Sequence, residues 1–407
     1  MNLYTLNDFQ SMQKTAVNGF LLRLDVNLPL NAMGEISDPV RLTRSLKTLE
    51  FLKTQGYVVI IGHFSRPKPG VKDPTLSLKK LCNGIGISLN TPLTFIEDID
   101  NKESLKRVQG AKKGEVFLLE NLRYDQGEEK NDPEFAKKLS EFAQVYVNDA
   151  FSGSHRAHAS VEAITHIMPS FAGFAFEKEI QMLNKVINTP KRPLAAIVGG
   201  SKISTKLPLL ANLVQKVDYL FVAGAMTHTF LESKGYELGG SLTEGEMIPD
   251  VLKIEELAKK SGCKLILPLD VVCCKTLHEG ADYQVLPVDG ILPDMMAVDF
   301  GPNTLKLYEE TLKEVQTVLW NGPLGVFEMP PFDRGTNTLA NILIKLTKEK
   351  KITTIAGGGD TLAALKACNE EEGITYTSTA GGAFLELLEG KVLPGVKALL
   401  QKEILRT

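Results

Sequence analysis

Cysteine is scarce in this chain, and so is any imbalance between charges of opposite sign. The sequence of 407 residues has five cysteines, no two of which form a C-x-x-C pair. That pattern favours a reduced cytosolic protein whose cysteines fill the core. The formal net charge of −3 gives no general attraction for nucleic acid or membrane. Any anion site must therefore be local, and we expect neither nucleic acid nor membrane as a partner.

Other features are missing as well. No apolar run is long enough to cross a bilayer, and the stretch Met1–Asp8 lacks the charged and apolar regions of a signal peptide. There is no internal repeat and no low-complexity segment. What is present is the composition of a globular protein, 43% hydrophobic and 23% charged. At this length, two domains are expected rather than one core.

Apolar runs with a strand pattern alternate with helical patterns through nearly the whole chain, which predicts an α/β fold with parallel sheets. Asp38-Pro39 and Asp132-Pro133 each supply a helix N-cap with a first-turn proline. The first of these helices is predicted to continue through Leu52. The predicted strands are Phe20–Leu24, Tyr57–Ile61, Val116–Leu119, Val145–Val147, Leu194–Val198, Tyr219–Val222, Lys264–Pro268, Thr317–Leu319, Ile352–Ala356 and Tyr376–Ser378.

The clearest domain boundary is the polar stretch Asn188–Pro193, which contains two prolines. The amphipathic run Glu177–Ile187 before it has the pattern of a helix joining two domains. We therefore expect a first domain over residues 1–175, a connecting helix over 176–189 and a second domain over 190–390. The last segment, 391–407, is predicted to pack against one of the two domains.

In the first half, polar residues cluster directly after predicted strands, at the edge of a parallel sheet where α/β folds bind ligands. Arginine forks bind carboxylate and phosphate oxygens in pairs, so this edge suits a small ligand carrying both groups. The alternative for any single residue is a solvated loop charge or a cap. The candidates are Asp25, Asn27, His63, Arg66, Arg123 and Arg156, with Arg41 near the start of the first helix.

In the second half, three strand patterns each run through glycine or other small residues into a helical pattern. Amide groups at a helix N-terminus stabilise phosphate, and glycine lets the backbone approach it closely. The first turn, Gly199–Lys206, is predicted to place Lys202 and Lys206 on one face of a helix, although a lysine pair there can also be a solvated face. The recurrence favours a nucleotide polyphosphate as ligand.

Two further second-half features suit a nucleotide. Asp360 follows Gly357, Gly358 and Gly359 and precedes Thr361, where it is either a helix N-cap or a hard oxygen ligand for nucleotide-bound Mg²⁺. In the turn-rich stretch Trp320–Glu328, Glu328 is a candidate for the ribose hydroxyls. Neither a Walker A loop nor a G-x-G-x-x-G with a downstream acidic residue is present, which disfavours a dinucleotide-dependent oxidoreductase.

The chain resembles the phosphoglycerate kinases over essentially its whole length. The order and spacing of several specific motifs agree with that family. The matching segments are Arg23–Pro29 (RLDVNLP), His63–Pro67, Glu120–Arg123 (ENLR), Val147–Phe151 (VNDAF), His155–His158 (HRAH), Gly199–Lys206, Trp320–Glu328 (WNGPLGVFE), Gly357–Thr361 (GGGDT) and Glu386–Gly395 (ELLEGKVLPG).

The resemblance implies a monomeric phosphotransferase with two Rossmann-like domains facing a cleft, hinge bending, and a C-terminal segment that returns to the first domain. It implies binding of 3-phosphoglycerate or 1,3-bisphosphoglycerate by Asp25, Asn27, Arg41, His63, Arg66, Arg123 and Arg156. It implies binding of ADP or ATP by Gly199, Lys202, Lys206, Asn321, Glu328 and Gly357–Thr361, with Asp360 on Mg²⁺. We further predict that Arg41, at the opening of the first helix, and Lys202 are catalytic. The competing class is a binding protein that keeps only nucleotide affinity.

The chain departs from the common family pattern where small residues replace glycines. Ser65 and Ser152 do so in the first half, and Ala223, Ala225 and Ala380 do so in the second. If position 380 required a positive φ, alanine there would cost about 1 kcal/mol. The departures bear on nucleotide affinity rather than on the reaction.

Overall fold

The computed structural model describes residues 3–12, 17–368 and 373–401. These residues divide into two compact units. Unit 1 takes those up to Gln181 and those from Val392 onward, and unit 2 takes Met182–Lys391. The boundary between Gln181 and Met182 falls inside one helix, Phe174–Ile187.

Unit 1 is built on a parallel sheet of six strands in its described part, in the order β3-β4-β2-β1-β5-β6. The strands are β1 Gly19–Arg23, β2 Tyr57–Ile61, β3 Thr94–Ile96, β4 Val116–Leu119, β5 Val145–Asn148 and β6 Ser170–Ala172. The helices are α1 Leu6–Met12, α2 Val40–Thr43, α3 Leu46–Lys53, α4 Cys82–Ser88, α5 Lys102–Gln109, α6 Gln126–Glu129 and α7 Pro133–Ser140, and α8 Phe174–Ile187 begins in unit 1 and ends in unit 2.

Both faces of this sheet are covered, which is why its strands are apolar throughout rather than alternating. Phe20 and Leu22 pack in one apolar cluster, while Leu21 between them packs in the other. In the register of the ladder, Arg23 at the end of β1 pairs with Ile61 on β2 and Asn148 on β5. The residues that follow these strands therefore meet at one edge of the sheet.

Unit 2 carries a second parallel sheet, again of six strands in its described part, in the order β15-β14-β13-β7-β8-β9. Its strands are β7 Leu194–Val198, β8 Tyr219–Val222, β9 Lys264–Ile266, β13 Thr317–Asn321, β14 Thr353–Gly357 and β15 Tyr376–Ser378. The helices are α9 Leu207–Leu213, α10 Met226–Glu232, α11 Ile248–Ser261, α12 Pro302–Leu312, α13 Arg334–Lys350, α14 Gly359–Ala367 and α15 Gly382–Leu388.

A three-stranded antiparallel sheet also belongs to unit 2, and the strand patterns did not predict it. It consists of β10 Asp270–Cys274, β11 Tyr283–Pro287 and β12 Met296–Phe300, in the order β11-β10-β12. Strand β11 is largely exposed, so it lacks the continuous apolar run that marks the buried parallel strands. The parallel architecture predicted for both halves is otherwise confirmed.

Two predicted helices differ from the structure. The helix expected from Asp38-Pro39 to Leu52 is split into α2 and α3, with helical but irregular turns at Arg44 and Ser45. The prediction that Lys202 and Lys206 lie on a helix is wrong, because α9 begins only at Leu207. Pro208 explains the late start, since its ring is tolerated in the first turn but clashes with the preceding turn deeper in a helix.

The C-terminal segment is part of unit 1. Gly395 donates its amide hydrogen to the carbonyl of Ser154, and Tyr4 donates to the carbonyl of Leu399. A short helix, α16 Pro394–Lys397, lies within the segment. Of the predicted range 391–407, residues 402–407 lie outside the described part. Within the described ranges, no helix has both the length and the apolar character that crossing a membrane requires.

Candidate active site

At the carboxyl edge of the unit 1 sheet, Asp25 is held by two side-chain partners. Nη1 of Arg41 lies 3.2 Å from Oδ2 of Asp25 and donates a second hydrogen bond of 3.2 Å to the carbonyl of Asn27. The hydroxyl of Ser152 donates to the same Oδ2 at 2.5 Å. Arg41, which sits on α2, is thereby brought against the loop after β1. Three of the candidate residues, from two separate sequence motifs, form one group.

A second group forms around the loop after β2. The side-chain carbonyl of Asn27 accepts a 2.8 Å hydrogen bond from the amide of Ser65. Nη1 of Arg123 donates to the carbonyl of Ser65 at 2.6 Å. The loop that carries His63 and Arg66 is therefore fixed from both sides by other candidate residues.

His63 lies among positive charges. Burial, followed by the charges of Arg23, Arg123 and Arg156, lowers its pKa to about 2. The ring is therefore neutral at physiological pH and does not add to the repulsion between the guanidinium groups. Burial also lowers the pKa of Arg123, and the charges of Arg156 and Arg66 contribute to that shift. His63 and the four arginines thus share one electrostatic environment.

Beneath these residues lies a buried network that the sequence reasoning did not assign. Arg23, only 2% exposed, donates from Nε to the hydroxyl of Ser160 at 3.1 Å. That hydroxyl donates to Oε1 of the fully buried Glu128 at 2.6 Å. Burial lowers the pKa of His158 to about 4, so its contact of 3.7 Å with Glu128 is not a charged pair. The only sequence signal was the charged Arg23 inside an apolar strand.

In unit 2, the ends of β7, β13 and β14 lie in register, so the three loops after them meet at one edge. Nζ of Lys206 donates to Oδ1 of Asn321 at 2.7 Å. The Nδ2 group of Asn321 donates in turn to the carbonyl of Gly357 at 2.6 Å. Thr361 accepts the amide hydrogen of Gly322 at 2.7 Å and donates to Gly357 at 3.0 Å. One hydrogen-bond network joins all three loops.

Two glycines in this network are required by their surroundings. At Gly199, a Cβ atom would lie 2.0 Å from the carbonyl oxygen of Pro323, which no side chain can occupy. Gly358 has a φ of 104°, a conformation that L-residues rarely adopt. It is the N-cap of α14, so the N-cap interpretation of Asp360 is wrong. Asp360 lies in the first turn of the helix instead, because Gly358 makes the sharp bend.

A pocket of about 260 Å³ opens at this edge of unit 2. Its lining includes Gly200 and Ser201 of the first glycine turn, Glu328, and Asp360 at the start of α14. Lys202 is exposed on the loop before α9 and lies outside the network of Lys206. Burial lowers the pKa of Lys206, while the charge of Asp360 opposes that shift.

The described protein residues do not offer a complete set of metal ligands. No group of three or more acidic, histidine or cysteine side chains with metal-binding geometry occurs among the described residues. Asp360 is exposed and lines the pocket. A single carboxylate fits Mg²⁺, which is commonly bound by one or two carboxylates together with substrate phosphates and water.

The four kinds of departure from the family pattern have different outcomes. The backbone of Ser65 occupies the left-handed region, with a φ of 57°, which is strained for a residue that carries a Cβ atom. Ala380 does not have a positive φ. The neighbouring Gly381 has it instead, with a φ of 53°. The same holds for Ala223 and Ala225, which flank Gly224 with its φ of 73°. Ser152 contributes its hydroxyl to Asp25.

The comparisons with known proteins agree with one another. The sequence profile of the family described as phosphoglycerate kinase matches residues 7–391. The phosphoglycerate kinase of Rhodospirillum centenum is 45% identical over 400 residues, which is 98% of this chain and 100% of that protein. That of Granulibacter bethesdensis is 44% identical over 394 residues, 96% of this chain and 99% of that protein.

Solved structures show the same likeness. The structure of phosphoglycerate kinase from Coxiella burnetii superposes with a TM-score of 0.86 at 36% identity, covering 95% of this chain and 98% of that one. The enzyme from Pyrococcus horikoshii gives 0.80 at 27% identity, covering 98% of each. Two parallel α/β units with these loops are those of a kinase, an enzyme that transfers a phosphoryl group. The chain belongs to the phosphoglycerate kinase family.

Proposed function

We propose that this enzyme transfers a phosphoryl group reversibly from 1,3-bisphosphoglycerate to MgADP, giving 3-phosphoglycerate and MgATP. The reaction would serve glycolysis and gluconeogenesis in the cytoplasm, with the enzyme acting as a monomer. The observation that carries the proposal is the neutral His63 surrounded by Arg23, Arg123 and Arg156. Such a cluster favours a ligand with several negative charges.

In unit 1, the proposed ligand is the phosphoglycerate. Arg66, Arg123 and Arg156 bind its phosphate and carboxylate oxygens, because guanidinium forks match both groups. His63, kept neutral, is available as a hydrogen-bond partner rather than as a charge. Asp25 and Asn27 bind the hydroxyl group of the substrate.

Arg41 is the proposed catalytic residue of this unit. Its bonds to Asp25 and to the carbonyl of Asn27 hold the guanidinium beside the loop after β1, which carries residues proposed to bind the substrate. A fixed charge of this kind stabilises the charge that develops on a transferring phosphoryl group.

In unit 2, the proposed ligand is the nucleotide. Amide groups at the start of α14, at Gly359, Asp360 and Thr361, face a phosphate with the positive end of the helix dipole behind them. Lys206 neutralises a phosphate in the ground state, and Asn321 holds it in place. The exposed Lys202 contacts the phosphoryl group while it is transferred.

The remaining nucleotide contacts support this arrangement. Gly199 and Gly357 pack directly against the carbonyl of Pro323 and the ring of Phe384, which holds in place the backbone of two loops proposed to bind the nucleotide. Glu328 takes the ribose hydroxyls at the rim of the pocket.

Asp360 would hold Mg²⁺ together with the nucleotide phosphates. The metal, when bound, supplies charge neutralisation at the phosphates. Calorimetry of ADP binding with and without Mg²⁺ tests this role directly. In Asp360→Asn the gain in ADP affinity on adding Mg²⁺ should be lost, whereas an undiminished gain would exclude Asp360 as the ligand.

The reaction requires no general base. In the direction of ATP consumption the nucleophile is a carboxylate, which is already ionised at neutral pH. The side chains of the two sites therefore act by aligning the reactants and stabilising charge. This matches a set of residues dominated by arginine, lysine and helix N-termini rather than by an acid–base pair.

A coupled assay with each substrate separates this enzyme from a protein that only binds nucleotide. We expect ATP formation that depends on both 1,3-bisphosphoglycerate and MgADP. ADP binding without any turnover would support the binding protein and contradict the proposed reaction.

A further inference from the structure

The lining of the unit 2 pocket includes several apolar side chains. They are Ala297, Val298 and Phe300 of β12, together with Leu324 and Val326. If the pocket takes the nucleotide, as proposed above, Asp360 lies with the phosphates. The apolar side chains then suit the flat base, whose faces bury well against such groups.

The same lining also contains a buried histidine. His228 on α10 lines the pocket and is only 3% exposed. Its Nδ1 atom lies 2.8 Å from the carbonyl oxygen of Leu242. A carbonyl only accepts hydrogen bonds, so Nδ1 carries a proton. Burial lowers the pKa of His228, which keeps the ring neutral, and a neutral ring protonated at Nδ1 leaves Nε2 as an acceptor.

The Nε2 atom has no hydrogen-bond partner among the described residues. It is also not one of the fully buried polar atoms that lack a partner. Because the rest of the residue is buried and the ring lines the pocket, the accessible surface of Nε2 opens into the pocket. A ligand donor placed there would supply the missing bond.

The neighbouring Asp299 does not compete for this role. Its Oδ2 accepts the amide hydrogen of Gly335 at 2.7 Å. Its Oδ1 is fully buried, and it lies where a Cβ atom on Gly325 would come within 2.3 Å. The carboxyl group is therefore enclosed by the two glycine backbones and does not present a free oxygen to a ligand.

We propose that His228 reads the purine base, with Nε2 accepting a hydrogen bond from the exocyclic 6-amino group of adenine. A 6-oxo purine would place a lone pair against Nε2 instead and leave the acceptor unpaired. The enzyme should therefore prefer adenine over hypoxanthine as the base of its diphosphate substrate. This specificity rests on the proposed function of the pocket and adds a residue to it.

The test compares three substrates that differ only around position 6: ADP, inosine diphosphate and purine riboside diphosphate, which lacks the 6-substituent. For the unmodified enzyme, kcat/KM should be roughly fivefold or more higher with ADP than with either analogue, the factor given by one net hydrogen bond.

Two substitutions at position 228 isolate the Nε2 atom. In His228→Asn the amide can still donate to Leu242, but it lacks the distal acceptor, so the preference for ADP should disappear. His228→Gln carries an acceptor oxygen near the position of Nε2, so the preference should partly return. His278→Asn, at an exposed histidine of the same unit, should keep the full preference and serves as the matched control.

The outcomes are distinguishable. Equal kcat/KM for the three nucleotides in the unmodified enzyme would overturn the inference, and that comparison stands even if a variant does not fold. A folded His228→Asn enzyme with the full preference for ADP would overturn it too. In both cases turnover persists, so the proposed reaction survives. Absence of turnover with all three nucleotides in the unmodified enzyme would instead contradict the proposed function.

Discussion

Lys206 donates from Nζ to Oδ1 of Asn321 at 2.7 Å, and this bond connects the loop before α9 to the end of β13. The lysine is half-buried, and burial lowers its pKa. Its ammonium group is thus oriented before any ligand arrives. Lys202, four residues earlier, is exposed and has no such anchor in the described structure.

This difference predicts separate roles for the two lysines. Lys206→Ala should weaken ADP binding by roughly tenfold to a hundredfold, the range for losing a charge-assisted hydrogen bond. Lys202→Ala should mainly lower kcat. Calorimetry with ADP and steady-state kinetics measure the two effects, with the exposed Lys259→Ala as the control. Equal losses of ADP affinity in both variants would contradict the assignment.

Removing the guanidinium of Arg41 should reduce turnover. A charge that acts mainly in the transition state lowers kcat, whereas uniform binding only raises KM. Arg41→Ala should lower kcat by about a hundredfold or more, as losing one preorganised donor does. Arg41→Lys keeps the charge but loses the planar fork, so it should restore only part of the rate. A normal kcat with a raised KM in Arg41→Ala would refute the catalytic role.

The depressed pKa of His63 predicts a pH-dependent contribution to stability. Its folded pKa of about 2 lies below the value of about 6.5 for the unfolded chain. Below pH 6.5 the unfolded chain binds more protons at this site, so the contribution is lost as the pH falls. For one group, each pH unit below 6.5 lowers the free energy of unfolding by roughly 1.4 kcal/mol.

The measurement is the difference in free energy of unfolding between the unmodified enzyme and His63→Gln at each pH. The difference removes the opposite contribution of Asp299, whose pKa burial raises to about 7. We expect the advantage of the unmodified enzyme to shrink between pH 6.5 and 5. The exposed His166→Gln is the reference substitution, and equal pH slopes for both variants would contradict the prediction.

Ser65 offers a test of backbone strain. A side chain in the left-handed region costs about 1–2 kcal/mol, and the bonds that Ser65 makes to Asn27 and Arg123 use only its backbone. Ser65→Gly should therefore raise the free energy of unfolding by up to about 1 kcal/mol, after the greater freedom of glycine in the unfolded chain is included.

Gly34 is the control for this strain. Its φ is 79° with no atom within 4 Å of a built Cβ, so Gly34→Ala measures the backbone cost alone and should destabilise by about 1 kcal/mol. Denaturant titration gives both values. A destabilised Ser65→Gly beside a destabilised Gly34→Ala would show that the serine side chain has a stabilising role.

Domain closure is the last expectation. The phosphoglycerate and nucleotide ligands are proposed to bind to different units, and in-line transfer needs the reacting atoms within about 3–3.5 Å. We expect both ligands together to favour a closed arrangement. Small-angle scattering should show the smallest radius of gyration in the ternary complex with MgADP and 3-phosphoglycerate. An identical radius without ligands, in a saturated active enzyme, would exclude closure.

The sequence by itself determined the parallel α/β architecture and the family. Strands buried on both faces are continuous apolar runs such as Tyr57–Ile61, which a linear pattern reveals. The glycine turns can also be read from local sequence. At Gly358, for example, the positive φ depends on the residue type at that one position.

Only the tertiary structure decided which candidates meet. The bond between Lys206 and Asn321 joins segments far apart in sequence, and no local pattern specifies such a partner. The same holds for Glu128 beneath Arg23, because a buried charge is recognised only by its distant partners. The local pattern also mispredicted the start of α9, because Pro208 restricts where that helix can begin. Local chemistry thus sets the elements, while long-range packing sets the neighbours that make a site.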